Sequence, residues 1–277
     1  MKTTKLKIAA VLVVLMAIGY SFTSLGKITI KGSDTMVILS QQWAEVYMKK
    51  NPGTVIQVTG GGSGVGLAAL INGSTDIANS SRPIKPTELE KIKAKFGKNA
   101  IQIPCAKDGL SVFLNKGNKV SELTIAQIGA IFSGKITNWK QVGGDDAKIQ
   151  LYGRESSSGT FEFFKEHVVQ TDFAATCQTL PGTAAIINAV KKDKYSIGYG
   201  GAAYAEGVKD CKVKKDANSK GYLPTEANIK NKKYPIARYL FMYLTSKPTG
   251  ETKKFIDWIL SSEGQQIIAG VGYFPVK

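Results

Sequence analysis

Four short segments of this chain combine hydroxyl side chains with glycine, and each directly follows an apolar run. They are GSDTM at 32–36, GGGSG at 60–64, NSSR at 79–82 and RESSSGT at 154–160. Serine and threonine hydroxyls donate hydrogen bonds, and glycine lets a backbone N–H approach a ligand closely. Arg154 adds a planar guanidinium that can bind two oxygens at once. These residue types predict a site for a small tetrahedral oxyanion.

Each segment also has an ordinary structural explanation. Ser33 or Thr35 could cap a helix, the glycine run could be only a tight turn, and an arginine after a strand could form a surface ion pair. However, two of the four segments contain two of the chain's three arginines, Arg82 and Arg154. Four such segments in one chain favour the binding site.

The motifs of competing chemistries are absent from the sequence. The glycine run lacks the GxGxxG spacing, Leu67 stands where a P-loop needs lysine, and Val65 breaks a GxSxG nucleophile elbow. His167 is the only histidine, and we predict it on the solvent face of a helix, a poor position for a general base. The single histidine and the lack of a CxxC pair argue against a zinc site. From all these absent motifs together, we predict no catalytic residue, no metal site and no cofactor.

Alternating strand and helix patterns must position the four segments. KITIKGS at 27–33 is typical of a strand, and Met36, Leu39 and Trp43 then recur at helical spacing. Repeated strand–turn–helix units predict an α/β fold with largely parallel sheets. Because ligands bind beyond the carboxyl ends of parallel strands, the four segments should meet in one crevice.

Two long extended segments suggest that the chain crosses twice between two lobes. They are AIQIPCAKDGLSVFLNKGN at 100–118 and YPIARYLFMYLTS at 234–246. About 250 residues after the N-terminal segment are also more than one ordinary core holds. We therefore predict a discontinuous lobe 1 of residues 25–107 plus 236–277, a lobe 2 of residues 108–235, and a cleft between them.

The N-terminus has the layout of a secretory signal. Lys2, Lys5 and Lys7 precede an apolar run at 8–20, followed by small and polar residues, which is short for a membrane span. An uncleaved anchor helix is the alternative. We expect a signal peptide at 1–24 and an exported chain that works in the periplasm. No cysteine lies near the expected cleavage point, so the sequence does not predict a lipid-anchored lipoprotein.

The charge of the chain favours anionic partners. The formal net charge is +16, and removing the three lysines of residues 1–24, where there is no acidic residue, leaves +13. The excess is nearly all scattered lysine, without the arginine and aromatic clusters of nucleic-acid grooves. Nucleic acid is therefore not an expected partner.

The chain has three cysteines, an odd number for an oxidising compartment. Cys177 and Cys211 lie in one stretch of chain and could form a disulfide, which would leave Cys105 free. Buried free thiols are an equal alternative.

Several of these segments together resemble one known family. The GSDTM helix start, GGGSGVGLAAL, TDIANSSRPI, ELTIAQIGAIFSGKITNW, GRESSSGT and the closing GVGYFPV are similar to the periplasmic phosphate-binding protein of phosphate ABC transporters. The resemblance covers the mature chain in order. It implies an α/β, two-lobed periplasmic-binding-protein fold (type II, Venus flytrap) with two crossover hinge strands.

The resemblance also carries the family's phosphate contacts to positions of this chain. They fall on the residues Thr35, Met36 (backbone N–H), Ser63, Arg154, Ser158, Gly159 (backbone N–H) and Thr160.

The sequence departs from the family pattern at two positions. Ser81 stands where the family often has an aspartate, and we include it in the site. Ser156, beside Glu155, stands where an aspartate often orients the arginine. A carboxylate acceptor would accept from a protonated phosphate and repel sulfate. Asp34, Asp76 and Glu155 are the candidate substitutes, with Asp34 first.

The function implied is the capture of inorganic phosphate and its delivery to a membrane ABC permease, by a protein expected to be a monomer without catalytic turnover. Another tetrahedral oxyanion, such as sulfate, molybdate or arsenate, is the first alternative. An exported phosphatase-like hydrolase would need a base or a metal, and a surface adhesion role has no supporting motif.

Overall fold

The structure is a computed structural model that describes residues 26–276. The predicted signal peptide at 1–24 lies outside the described residues. Within residues 26–276, no helix is both long and apolar enough to span a membrane.

Strands and helices alternate through most of the described chain. The strands are β1 Gly26–Gly32, β2 Thr54–Thr59, β3 Ile77–Ser80, β4 Ile101–Leu114, β5 Glu122–Thr124, β6 Gln150–Arg154, β7 Gln178–Leu180, β8 Ser196–Gly201, β9 Lys209–Asp210, β10 Lys212–Lys214 and β11 Ala237–Leu244. The helices are α1 Val37–Lys50, α2 Ser63–Asn72, α3 Pro86–Phe96, α4 Ile125–Phe132, α5 Gly159–Phe164, α6 Gly182–Lys192, α7 Glu226–Lys230, α8 Gly250–Ile259 and α9 Ser262–Val271. Short helical turns lie at Asp34–Met36, Trp139–Val142, Lys165–Val169 and Ala202–Tyr204.

The large sheet has the order β2-β1-β3-β11-β4-β8-β6-β7, with β9 added on β4. β1 pairs in parallel with β2 and β3, and β6 pairs in parallel with β7 and β8. The two central strands are antiparallel to their neighbours. The prediction of an α/β fold with largely parallel sheets is confirmed for the two flanking parts of this sheet.

The two long extended segments form the central strands β4 and β11. Residues 101–109 of β4 pair with β11, and residues 110–114 pair with β8. β4 thus leaves the part of the sheet built on β1 and enters the part built on β6, and β11 carries the chain back beside it.

The two largest apolar cores of the described residues lie on the two sides of these strands. Trp43, from α1, and Phe255, from α8, belong to the core around β1 and β11. Phe132, Trp139 and Phe164 belong to the core around β6, β8 and the second half of β4. This separation agrees with two lobes. The boundaries of lobe 1 (25–107 plus 236–277) and of lobe 2 (108–235) stay a prediction.

All three cysteines are free thiols, so the Cys177–Cys211 disulfide is not formed. Cys177 precedes β7 and Cys211 follows β9. Three strands (β6, β8 and β4) separate β7 from β9 in the sheet. At about 4.8 Å per strand, the cysteines are too far apart for the roughly 5.5 Å between the Cα atoms of a disulfide.

A glycine sets how closely α2 approaches the sheet. A Cβ atom on Gly66 would lie 2.4 Å from the backbone oxygen of Lys31 and 2.5 Å from the Cα atom of Gly32. Backbone atoms cannot move aside as a flexible side chain can. Gly66 therefore lets the first turn of α2 lie against the end of β1, where two of the hydroxyl-bearing segments meet.

We expect Gly66→Ala to lower the free energy of unfolding by about 1–3 kcal/mol, because the added methyl group overpacks a rigid contact. Gly270→Ala is the matched control: Gly270 is exposed in α9, with no atom within 4 Å of its Cβ position. There, alanine should raise helix stability by about 0.5–1 kcal/mol. Urea unfolding of both variants checks this, and equal shifts would contradict it.

Candidate anion-binding site

The four hydroxyl-bearing segments come together at the carboxyl ends of β1, β2, β3 and β6. The first begins at the last residue of β1, the second and third follow β2 and end β3, and the fourth leads from β6 into α5. Hydroxyl side chains from all four segments are linked pairwise at hydrogen-bond distance, and the contact between Asp34 and Arg154 also joins the first segment to the fourth. The predicted convergence on one crevice is therefore what the structure shows.

Four hydroxyls form the centre of this site. Thr35 and Thr160 are joined by a hydrogen bond of 2.8 Å between their Oγ1 atoms. The Oγ atom of Ser81 lies 3.4 Å from those of both Thr160 and Ser63. All four residues have no exposed surface. We call Thr35, Ser63, Ser81 and Thr160 the hydroxyl cluster.

Gly159 allows the start of α5 to reach the hydroxyl cluster. A Cβ atom at this position would lie 2.3 Å from the Oγ of Ser63 and 2.9 Å from the Oγ of Ser81. Any other residue would push α5 away. The first N–H groups of a helix have no partner within the helix, so the start of α5 brings backbone donors to the cluster.

Two of the predicted contacts are engaged within the protein. The Oγ atom of Ser158 accepts from the backbone N–H of Phe161 at 3.3 Å, so this side chain caps α5. The backbone N–H of Met36 donates to the carbonyl oxygen of Ser33 at 2.9 Å. Both residues are buried. The sequence alone could not show that Ser158 and Met36 make these local hydrogen bonds.

The guanidinium of Arg154 is buried and held mostly by protein groups. Its Nε donates to Glu155 at 3.1 Å, and its Nη2 donates to Glu155 at 2.8 Å and to Asp34 at 2.7 Å. Its Nη1 donates to Thr183 at 3.1 Å. Four of the five guanidinium N–H groups are therefore used. In this arrangement Arg154 can offer an anion one N–H, not the two-pronged contact expected from the sequence.

Asp34 and Glu155 thus serve as partners of Arg154. Asp34 also accepts from the backbone N–H of Gly61 at 2.8 Å, which ties the segment after β1 to the segment after β2. Burial raises the pKa of Glu155, but the hydrogen bonds and charge of Arg154 outweigh burial and hold that pKa below its ordinary value. Both carboxylates carry the orienting role for which the sequence lacked an aspartate at Ser156.

Asp76 was predicted as a candidate acceptor, and this is wrong. Its carboxylate accepts from the backbone N–H and the hydroxyl of Thr29, both at 2.7 Å. Asp76 directly precedes β3, so it lies at the amino end of the strand, whereas the site lies at the carboxyl end.

Arg82 forms a separate ion-pair group beside the site. Its guanidinium lies 2.8 Å from Glu88 and 2.9 Å from Glu162, and Lys85 lies 2.7 Å from Glu162. Glu162 belongs to α5, whereas Arg82 follows β3. This group therefore links the same two parts of the molecule that meet at the hydroxyl cluster.

Sequence reasoning missed two charged residues of the site. Arg238 of β11 donates to the Oγ1 of Thr160 at 2.9 Å, and it is paired with Asp108 of β4 at 2.8 Å. Both residues are buried. One signal was available: Arg238 is the only charge in its long extended segment, and Asp108 is the only acidic residue in the other.

Among residues 26–276, no group of three or more histidine, cysteine, aspartate or glutamate side chains could hold a metal ion. His167 is exposed, as predicted, and its ring stacks on Phe163. The hydroxyls and helix-end N–H groups of the site are hydrogen-bond donors of the kind that suits an anion.

Comparison with known proteins places the chain in a family. A family model of the PBP superfamily domain matches residues 21–263. The phosphate-binding protein PstS of Pseudomonas aeruginosa is 33% identical over 269 residues, which cover 91% of this chain and 83% of that protein. The chain belongs to the phosphate-binding proteins of the PBP superfamily. Its relatives are binding proteins, and it is not an enzyme.

Other relatives and solved structures agree with this family. PstS of Staphylococcus epidermidis is 36% identical over 246 residues, covering 85% of this chain and 74% of that protein. A Clostridium perfringens substrate-binding protein, assigned to a phosphate ABC transporter and solved with bound phosphate, superposes with a TM-score of 0.83 at 32% identity, covering 91% of this chain and all of that one. An ABC-type phosphate transport receptor from Vibrio cholerae gives a TM-score of 0.71 at 31% identity, covering 89% of this chain and 99% of that one. The two-lobed periplasmic-binding-protein fold is thereby confirmed.

We expect Glu155→Gln to lower the free energy of unfolding by about 1–3 kcal/mol at pH 7, since a charged acceptor of a buried guanidinium is lost. The pKa of Glu155 is lowered in the folded state, so its contribution is present above the pKa of the unfolded chain. That contribution disappears as the pH falls through the lowered folded-state pKa. The difference between variant and parent should therefore shrink in acid.

Urea unfolding at pH 7 and at about pH 3–4, below the ordinary glutamate pKa of about 4.3, measures this effect. The exposed Glu206 provides the control Glu206→Gln, which should change little at either pH. A loss for Glu155→Gln that is the same at both pH values would contradict the assignment.

Proposed function

We propose that this protein captures inorganic phosphate at the hydroxyl cluster, in the cleft between its two lobes, and delivers it to the membrane permease of a phosphate ABC transporter. One observation carries the proposal: hydroxyls from separate strand ends meet, fully buried, and the guanidinium of Arg238 donates to one of them. The proposed contacts are Thr35, Met36, Ser63, Ser81, Arg154, Ser158, Gly159 and Thr160.

Uncharged donors should supply much of the binding. Arg154 and Arg238 contribute two positive charges, and their partners Asp34, Glu155 and Asp108 contribute three negative ones. The immediate surroundings therefore provide no net positive charge. Hydroxyls and helix-end N–H groups held in fixed directions can still stabilise an anion strongly when water is excluded. Such fixed donors suit a ligand of one size and shape.

The hydrogen bond between Thr35 and Thr160 supports a ligand position between these two hydroxyls. Thr35 follows β1, whereas Thr160 lies in the first turn of helix α5, after β6, so the two hydroxyls come from opposite sides of the predicted cleft. A phosphate oxygen between them would accept from both. Phosphate would then favour the closed arrangement of the lobes, since only that arrangement brings both donors to it.

The family supports a cellular location and a partner for this activity. Relatives with the same fold belong to phosphate transporters by name, which supports an extracytoplasmic substrate-binding protein. Export to the periplasm through cleavage of residues 1–24, the permease as partner, and a monomeric state complete the proposal.

We expect Thr160→Val to weaken phosphate binding at least tenfold. Valine keeps the shape of threonine but removes a hydroxyl that contacts Thr35 and Arg238, and each lost hydrogen bond to a charged ligand is worth about 1.5–3 kcal/mol. Isothermal titration with phosphate, sulfate and molybdate measures it. Thr252→Val, in α8 and outside the site, is the control and should bind like the parent.

If the parent protein binds molybdate or sulfate more tightly than phosphate, the proposed ligand is wrong. If Thr160→Val binds phosphate like the parent, the hydroxyl cluster is not the site.

Closure of the lobes can be measured separately. We expect phosphate to reduce the radius of gyration in small-angle X-ray scattering, because the ligand binds the closed state better. Thr160→Val at the same phosphate concentration should show a smaller change. Identical scattering of the parent protein with and without phosphate would count against closure.

A further inference from the structure

A groove of about 450 Å³ lies beside the anion site. Its walls come from three places: the segment 82–86 after β3, the segment 162–167 that begins in α5, and the segment 238–241 of β11. Cavities of about 300–1,000 Å³ are typical sites for small molecules. No member of the hydroxyl cluster lines the groove, so it is a separate place on the molecule.

Much of the groove wall is apolar or aromatic. Ile84 and two prolines line it on one side, Phe163 on another, and Tyr239 and Phe241 on the third. Tyr239 is 47% exposed, the most of any large hydrophobic side chain in residues 26–276. Its ring already holds one ammonium group, since the Nζ of Lys107 lies 5.7 Å from the ring centre. Such a wall suits an apolar body, and its rings attract cations.

The cations that line the groove are already paired. Arg82 and Lys85 lie 2.9 Å and 2.7 Å from Glu162, and Arg82 also pairs with a second glutamate at 2.8 Å. Arg238 pairs with Asp108 at 2.8 Å. Each positive charge of the groove is therefore balanced by a carboxylate of the protein. An anion entering the groove would have to compete with these carboxylates.

Glu166 is the charged residue of the groove without an ion partner among residues 26–276. It lines the groove and is exposed. Its neighbour in sequence, Lys165, pairs with Asp172 at 2.7 Å instead. The chain as a whole carries a formal net charge of +16, so a groove whose unpaired charge is negative differs from the general surface. A carboxylate beside aromatic rings favours a positively charged ligand.

We propose that this groove is a second binding site, which takes a small organic cation: a protonated amine joined to an apolar or aromatic body. The ammonium group lies at Glu166, and the body packs against Tyr239 and Phe241. The amine site does not depend on what the hydroxyl cluster binds.

The amine also favours the arrangement of the lobes that suits phosphate. The groove is complete only when α5 lies beside the segment after β3, and these two parts come from opposite sides of the predicted cleft. Arg238 lines the groove and donates to Thr160 of the hydroxyl cluster. A bound amine should therefore raise the affinity for phosphate, and phosphate should raise the affinity for the amine by the same factor. This coupling rests on the proposed function.

Three ligands of similar size and different charge test the site on the parent protein. They are 2-phenylethylamine, a cation, 2-phenylethanol, which is neutral, and phenylacetate, an anion. A ligand-detected NMR titration at pH 7.5 and low salt should show saturable binding of the amine, with a dissociation constant of about 1 mM or below. The alcohol should bind more weakly and phenylacetate most weakly. Phenylacetate that binds as tightly as the amine, or an amine that does not saturate below about 10 mM, would overturn the inference.

Glu166→Gln tests which group selects the charge. The amine should bind about two- to fivefold more weakly, because an exposed ion pair is lost, whereas the affinity for the alcohol should not change. Glu206→Gln is the control, since Glu206 is exposed and outside the groove. An unchanged ratio of amine to alcohol affinity in Glu166→Gln would contradict the role of this carboxylate.

Tyr239→Thr tests the place of the apolar body. Both the amine and the alcohol should bind at least threefold more weakly, since the exposed ring is lost. The matched control is Val55→Thr, because Val55 is also an exposed apolar residue of a strand, at 38%, and lies outside the groove. If Tyr239→Thr binds both ligands as the parent does, the ligands lie elsewhere and the assignment is wrong.

Isothermal titration with phosphate tests the coupling. Near-saturating 2-phenylethylamine should raise the phosphate affinity at least twofold over the same concentration of potassium chloride, and the amine affinity should rise equally in saturating phosphate. Bound amine without any change in phosphate affinity would refute the coupling. A protein that binds the amine and no phosphate would instead refute the proposed function and leave the amine site standing.

Discussion

A guanidinium group taken out of water must have its charge and its N–H groups paired, and the site is organised around this constraint at Arg154. Its pairing recruits Asp34 from the end of β1, Glu155 from its own segment and Thr183 from α6. Asp34 in turn holds the backbone of Gly61. One buried cation therefore fixes the relative positions of three loops that sequence places far apart.

Close approach of these loops depends on glycine at two positions. Gly66 allows α2 to rest on the end of β1, and Gly159 allows α5 to reach Ser63 and Ser81. With both contacts made, hydroxyls from separate strands lie within hydrogen-bond distance of one another. In the structure these hydroxyls form hydrogen bonds with one another, such as the one between Thr35 and Thr160. Donors fixed in this way suit the small tetrahedral anion of the proposed function.

The strands that join the two cores also contribute to the site. Arg238 and Asp108 are direct cross-strand neighbours of β11 and β4, and Arg238 reaches Thr160 at the start of α5. A change in the angle between the cores would therefore be felt at the hydroxyl cluster. The largely buried ion pair between Arg82 and Glu162 spans the same division. Ligand recognition and lobe position are thus connected by short, direct contacts.

The sequence by itself determined the α/β alternation, the two long crossing strands and the convergence of four segments, because these follow from local periodicity and from the common edge of parallel strands. It also indicated Thr35, Ser63, Ser81 and Thr160, because four segments that combine hydroxyls with glycine occur in one chain and resemble those of a phosphate-binding family. Only the tertiary structure decided which charges meet. Asp76 lies at the wrong end of β3, the cysteines are three strands apart, and Asp108 finds Arg238 across 130 residues. Pairing of buried charges depends on strand order and register, which no local pattern in the chain encodes.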